Sequence, residues 1–145
     1  METGARAWTG IVALSSAGRA APLALWEDAG PGHSRPGLLR AHRLIEDDVV
    51  TGEAFGRTFA YGTTEVTQPI GRGMSGSVAV AGFVDVARAS HRLDGSHQSP
   101  LLVDAGAGLR ISAMGRPEVL RIDVAHGLRG GGTRLSFTWG RAWPW

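Results

Sequence analysis

The chain contains no cysteine, no lysine and no asparagine. Without cysteine there is no disulfide framework, no thiolate metal site and no thiol nucleophile. All 15 basic residues are arginine, a bias that matches a GC-rich genome as much as any chemical demand. The net charge is only +2, with both signs spread along the chain, which excludes the clustered positive footprint of a nucleic-acid binder. No apolar run reaches the roughly 18 residues of a transmembrane helix. The first residues, Met1-Glu2-Thr3-Gly4-Ala5-Arg6, carry an acid and no apolar core, so no signal peptide is visible there. Helix-period patterns are nearly absent as well.

Glycine is what the chain has in abundance, 22 residues of 145, with 7 prolines and an apolar share of 43%. This length makes one domain or part of one. Gly and Pro punctuate it about every 8 to 12 residues, the spacing of an all-β domain. Between them lie alternating runs. In Val78 to Arg88, side chains on a strand alternate faces, so Val80, Val84 and Val86 share one side with Gly82. Ala81, Phe83, Asp85 and Ala87 share the other. Leu101 to Ser112 repeats the split, with Val103, Ala105, Ala107, Leu109 and Ile111 against Asp104, Gly106, Gly108, Arg110 and Ser112. Val119 to Leu128 sets Leu120, Ile122, Val124 and Leu128 against Arg121, Asp123, Ala125 and Gly127. Thr133 to Trp139 sets Leu135, Phe137 and Trp139 against Arg134, Ser136 and Thr138. Thr58 to Gln68 places Phe59, Tyr61, Thr63 and Glu65 together, opposite Thr64 and Val66. Trp8 to Ser16 and Pro22 to Asp28 read as a hairpin turned at Ala17-Gly18-Arg19. About seven antiparallel strands are expected. A long irregular stretch from Ala29 to Gly56 separates the hairpin from the rest, with room for a short helix near Leu38 to Leu44. Loops of that length in a compact domain are functional or disordered.

Alternation also occurs in soluble sandwiches, which hide the apolar side chains between two sheets. Here the polar side is made of Gly, Ala, Ser, Asp and Arg rather than the long charged residues and threonines of a wetted sheet. Small residues with balanced charges suit a confined polar interior, and a plain aliphatic face ending in aromatics suits lipid. Transmembrane strands are about 9–11 residues long and alternate apolar-out, polar-in. A charge on the lipid face would cost roughly 2–4 kcal/mol at mid-membrane, and none falls at the centre of these faces. Trp8, Trp26, Trp139, Trp143 and Trp145 lie near strand ends or in the tail, as interfacial girdles require, although Trp26 reads equally as an ordinary core residue.

From Leu39 onward the order of features resembles the C-terminal barrel of the bacterial surface antigen superfamily, the BamA/TamA type, which includes the two-partner-secretion transporters. In that family a long loop with an Arg-Gly-Phe-like motif folds back into the barrel, and the Asp of a later Phe-x-Asp-x-Gly strand meets the loop Arg. Leu38-Leu39-Arg40-Ala41-His42 stands in the loop position, and Phe83-Val84-Asp85-Val86-Ala87 in the strand position. The strand with Glu65 resembles the one that follows the loop, and Leu101 to Ile111 the Gly-rich penultimate region. The last two strands resemble the final hairpin, with Leu135, Phe137 and Trp139 as a terminal sorting signal. Three features depart from the pattern: Ala41-His42 replaces Gly-Phe, Ala87 replaces Gly, and residues 140–145 form a tail beyond the terminal aromatic. The resemblance covers about 100 residues and implies an outer-membrane barrel of a Gram-negative-type bacterium that inserts or exports proteins. Its implied partners are outer-membrane lipid, an unfolded or secreted client, further N-terminal barrel strands and periplasmic domains. The family barrel has about sixteen strands and single-chain bacterial barrels have at least about 8, so seven cannot close, and the chain is expected to be the C-terminal part of a longer protein.

The sharpest expectation is a loop lock of Arg40, Asp85, Phe83 and Glu65, in which a guanidinium fork pins the loop to a carboxylate in a confined interior. Asp104, Arg110, Arg121, Asp123 and Arg134 are expected to line the same interior as a charge ladder of cross-strand opposite pairs. No catalytic residue, cofactor or metal site is assigned. Gly71-Arg72-Gly73-Met74-Ser75-Gly76 matches a dinucleotide fingerprint literally but precedes a strand, which makes it a turn. Residues 73–77 miss nucleophile-elbow spacing, and His33, His42, His91, His97 and His126 show no zinc spacing. Two alternatives remain at this point. One is a barrel that anchors an enzyme, such as a lipase-like domain. The other is a soluble β-sandwich binding module.

Overall fold

The computed structural model describes residues 6–22, 26–28, 39–42, 45–46, 49–50, 55–93, 97–113 and 116–141. Within them the strands are β1 (Ala7–Ser16), β2 (Glu27–Asp28), β3 (Ile45–Glu46), β4 (Val49–Val50), β5 (Phe55–Gly56), β6 (Thr58–Gly73), β7 (Gly76–Ser90), β8 (Leu102–Ala113), β9 (Glu118–Gly127) and β10 (Gly132–Arg141). The fold is all-β. Six strands form one antiparallel sheet in the order β1-β6-β7-β8-β9-β10, and β2 with β5 and β3 with β4 form two small ribbons. The sheet is open, with β1 and β10 as its edges.

Strands β6 to β10 are a meander of consecutive hairpins, which follows from period-2 alternation broken by turn residues. Gly73 pairs with Gly76 around the Met74-Ser75 turn. A side chain at Gly76 would run into the Ser112 carbonyl, and its φ of 152° also disfavours any L residue. In β6, Pro69 has no N–H to give the ladder, and the pairing shifts register between Pro69 and Gly71, leaving Ile70 as the extra residue of a bulge.

The expected hairpin of Trp8–Ser16 with Pro22–Asp28 does not form among the described residues, which leave out 23–25. All ten residues of β1 pair with β6 instead, from Ala7 opposite Thr67 to Ser16 opposite Thr58. Of the second expected strand, Glu27 and Asp28 pair with Gly56 and Phe55. The reason is length: β6 offers β1 a ten-residue partner, whereas only Glu27 and Asp28 form a strand among the described residues after Ala17-Gly18-Arg19. One sheet of six long strands therefore replaces the seven expected. The short helix near Leu38 to Leu44 is absent where the chain is described, since Leu39 to His42 are consecutive bends.

Which side of the sheet is covered decides everything that follows. Trp8, Val12 and Leu14 on β1 are 79%, 79% and 78% exposed. Val66, Val80, Val84, Leu109, Val124, Leu135, Phe137 and Trp139 are exposed on the same side. On the other side Ala81, Phe83, Asp85, Ala87, Asp104, Arg110, Asp123 and Ala125 are buried. The aliphatic face is bare and the charged face is covered, the reverse of a sheet in water. The cover is residues 39–42, which lie over β6 to β10. Leu39 packs with Phe59, Tyr61, Ala87, Ala89 and Leu102, and Ala41 with Phe83 and Ala125.

Both the long segment between β1 and β6 and the β7–β8 connection leave the sheet at one end, together with the β9–β10 turn. The β6–β7 turn and the short β8–β9 connection lie at the other. Trp8 and Trp139 sit on opposite edges of the sheet, both toward the short-turn end of the exposed face.

Candidate functional site: a loop latched to the charged face

The register of the sheet creates an electrostatic problem. Asp85 on β7 lies directly opposite Asp104 on β8, and Arg110 on β8 directly opposite Arg121 on β9. Like charges in direct cross-strand register repel. The expected ladder of opposite-charge pairs is present diagonally, as Arg110 on β8 with Asp123 on β9, but the directly opposite positions pair like with like, so further compensating charges are needed. For the two arginines they come from the flanking strands. Glu65 on β6 accepts from Arg110 Nε at 2.9 Å, from Arg110 Nη2 at 2.7 Å and from Arg121 Nη2 at 2.8 Å. Asp123 accepts from Arg110 Nη1 at 2.5 Å. Glycine makes room here, since a Cβ on Gly108 would strike the Asp123 carboxylate and the Ile122 carbonyl.

The two aspartates have no such strand partner, and the loop supplies one for each. Arg40 spreads its three guanidinium nitrogens over three carboxylates from three strands. Nε lies 3.2 Å from Asp85 Oδ2, Nη1 donates to Asp123 Oδ2 at 3.2 Å, and Nη2 donates to Glu65 Oε2 at 3.2 Å. The guanidinium stacks on Phe83, 3.6 Å from the ring centroid, so the ring adds a cation–π contact to the ion pairs. Thr63 Oγ1 donates to the other Asp85 oxygen at 2.5 Å. Asp85 is completely buried. Three guanidiniums, of Arg40, Arg110 and Arg121, thus interleave with three carboxylates, of Glu65, Asp85 and Asp123.

Asp104, also completely buried, is capped by the next two loop residues. Its Oδ2 accepts from the backbone N–H of Ala41 at 2.5 Å and of His42 at 3.3 Å. Its Oδ1 lies 2.5 Å from His42 Nδ1. The other ring nitrogen of His42, Nε2, lies 2.6 Å from the Arg129 carbonyl in the β9–β10 turn. That ring fits because Gly127 and Gly131 line it, where a Cβ would clash with the imidazole. Arg134 on β10 donates through Nε to the Ala41 carbonyl at 2.6 Å. Asp85 Oδ2 is the exception in this network: it is buried and meets Arg40 Nε as an ion pair without a hydrogen bond.

The structure therefore brings Arg40, Phe83, Asp85 and Glu65 into one cluster and joins Asp123, Arg110 and Arg121 to it. Asp104 and Arg134 belong to the same covered face but hold the loop through His42 and Ala41 rather than by pairing with each other. His42, which has no zinc spacing in the sequence, is the functional residue that the sequence did not single out. Its signal was adjacency to Arg40, in the position where the resembled family carries an aromatic. Leu135, Phe137 and Trp139 lie on the bare face, far from this network. Chemically the arrangement is a clamp. Its carboxylates are each occupied by a cation, a hydroxyl or loop amides, and among the described residues no group of three or more His, Asp or Glu is disposed to hold a metal. Comparison of the chain with family models, curated proteins and solved structures returned no match.

Proposed function

We propose that this sheet is a section of the wall of an outer-membrane β-barrel, and that the chain acts in inserting outer-membrane proteins or in moving proteins across that membrane. The observation that carries the reading is the inversion of the sheet: valines, leucines and aromatics bare on one side, charges and glycines covered on the other. In water, burial of those aliphatic side chains would contribute about 25 cal/mol per Å² of apolar surface, and this fold forgoes it. In a bilayer the same face is already in its preferred solvent. Each of the six strands has at least 10 residues, enough to cross at the usual tilt. Long connections at one end and short turns at the other match the outer and periplasmic ends of such barrels, and Trp8 and Trp139 match the periplasmic aromatic girdle. The bare edges of β1 and β10 would be paired by further strands in the closed wall, because lipid does not tolerate unpaired backbone.

The activity assigned follows the resemblance to the bacterial surface antigen superfamily and the latch that Arg40 makes. A covalently continuous loop clamped across five strands holds the wall in one shape, and release of the clamp would let the wall deform around a client. The test has two parts. Cells making the protein are fractionated, and the outer-membrane fraction is run unboiled and boiled. Recovery there with a mobility shift supports the wall, whereas a detergent-free soluble protein makes it a β-sandwich binding module and ends the barrel reading. Arg40→Ala is then expected to lower export or insertion of the client, and unimpaired transport would remove the latch from the mechanism.

A further inference from the structure

The arginines of the sheet interior are matched by carboxylates. A second group of cations, at the long-connection end, has no carboxylate partner among the described residues. Arg19, three residues beyond the end of β1, converges with Arg57, His91 and Arg92 on an open concavity of about 330 Å³ that Leu93 also lines. Among the described residues no carboxylate lines it. Arg57 is fixed in place: its Nη1 donates to the Gly18 carbonyl, and its guanidinium lies 4.8 Å over the Trp26 ring. Trp26 in turn stacks on Phe55 at 5.5 Å and leans on His91 at 5.9 Å. Arg92 is held through its backbone, whose N–H donates to Ser90 Oγ at 3.2 Å. The guanidiniums of Arg19 and Arg92 have no ion-pair partner among the described residues. Three like charges held around one concavity repel unless an anion joins them, and nothing in the loop latch requires them there.

We propose that this concavity binds a phosphate monoester. The guanidinium fork matches phosphate oxygens in planar, bidentate geometry, and His91 adds a further ring N–H. The position suits a headgroup, since the concavity is lined by residues just beyond the ends of β1, β6 and β7. Free phosphate has the same recognition chemistry. The binding rests on the cation cluster alone, so it stands or falls separately from the barrel reading.

The experiment uses the full chain, freed of the non-ionic detergent of its purification before the vesicles are added. Binding is measured by co-flotation with phosphatidylcholine vesicles, with and without phosphatidic acid, in the presence and absence of inorganic phosphate. Retention on phosphatidic-acid vesicles is expected to exceed that on pure phosphatidylcholine by about tenfold, and to fall as salt rises. Competition by inorganic phosphate identifies the phosphate group alone as the ligand, and retention despite it identifies the lipid. R19A/R92A is expected to abolish the difference between vesicles, while R19K/R92K, which keeps the charge, retains part of it. Equal retention on both vesicles, or a difference that survives R19A/R92A, overturns the proposal. Protease protection of residues 39–42 in each variant shows that the latch is intact, so loss of binding is not loss of fold.

Discussion

The two faces of one sheet obey opposite rules. On the covered face each position answers to a neighbour: Gly108 is small because Asp123 needs the space, and Asp85 is tolerated because Arg40 reaches it. On the bare face side chains from Leu14 to Phe137 answer to no described neighbour beyond their own sheet. The covered face is specified by geometry and the bare face by solvent. Substitutions should therefore cost energy for different reasons on the two sides, and only on the bare side should the cost depend on the surrounding medium.

The largest effect is expected at Arg40. R40A leaves Asp85 facing Asp104 with no cation from the loop, and removing one partner of a buried ion pair costs roughly 3–5 kcal/mol. Urea unfolding in detergent measures it, and limited proteolysis of the loop should accelerate in step. The comparison sharpens in a double-mutant cycle with D85N. Once the carboxylate charge is gone, R40A should cost markedly less, because contacting residues in one network are non-additive. Additive losses would mean that Arg40 is held by Glu65 and Asp123 and that Asp85 contributes nothing.

Next comes the bare face. V84R puts a charge on the exposed side of β7, and should cost about 2–4 kcal/mol when the protein is folded into a bilayer near its midplane. In aqueous solution the same exposed substitution should stay within about 0.5 kcal/mol. Equal costs in lipid vesicles and in water would erase the distinction between the faces. H42F follows. It restores the aromatic of the resembled family but leaves Asp104 Oδ1 and the Arg129 carbonyl without their ring partners, at about 1–3 kcal/mol for buried polar groups left unsatisfied. If H42F is neutral or stabilising, the imidazole is filling space rather than bridging β8 to the β9–β10 turn. The smallest effect belongs to the β6–β7 turn, which neither face uses. S75A should shift stability by no more than about 0.5 kcal/mol.

The period-2 split in Val78 to Trp139 already assigned nearly every side chain of β7 to β10 to its side, because alternation is a local consequence of the extended backbone. The pairing of Arg40 with Asp85 came from the resemblance to the surface antigen superfamily, not from the alternation. The alternation misjudged the partner of β1, since nothing local tells a strand whether to fold onto the next segment or onto one past a long loop. It missed His42, because a histidine in a loop carries no mark of the buried carboxylate waiting for it.

The amino-acid order by itself determined that the chain is a set of alternating ribbons with glycine turns, and which residues share a side. Only the tertiary structure decided register, and with it the direct apposition of Asp85 with Asp104 and of Arg110 with Arg121. Register depends on the sum of all ladder and turn contacts between strands, so no single stretch encodes it. The loop matters because of that outcome: folding set two carboxylates side by side, and the Arg40 guanidinium on one and the Ala41 and His42 groups on the other are what make the pairing tolerable.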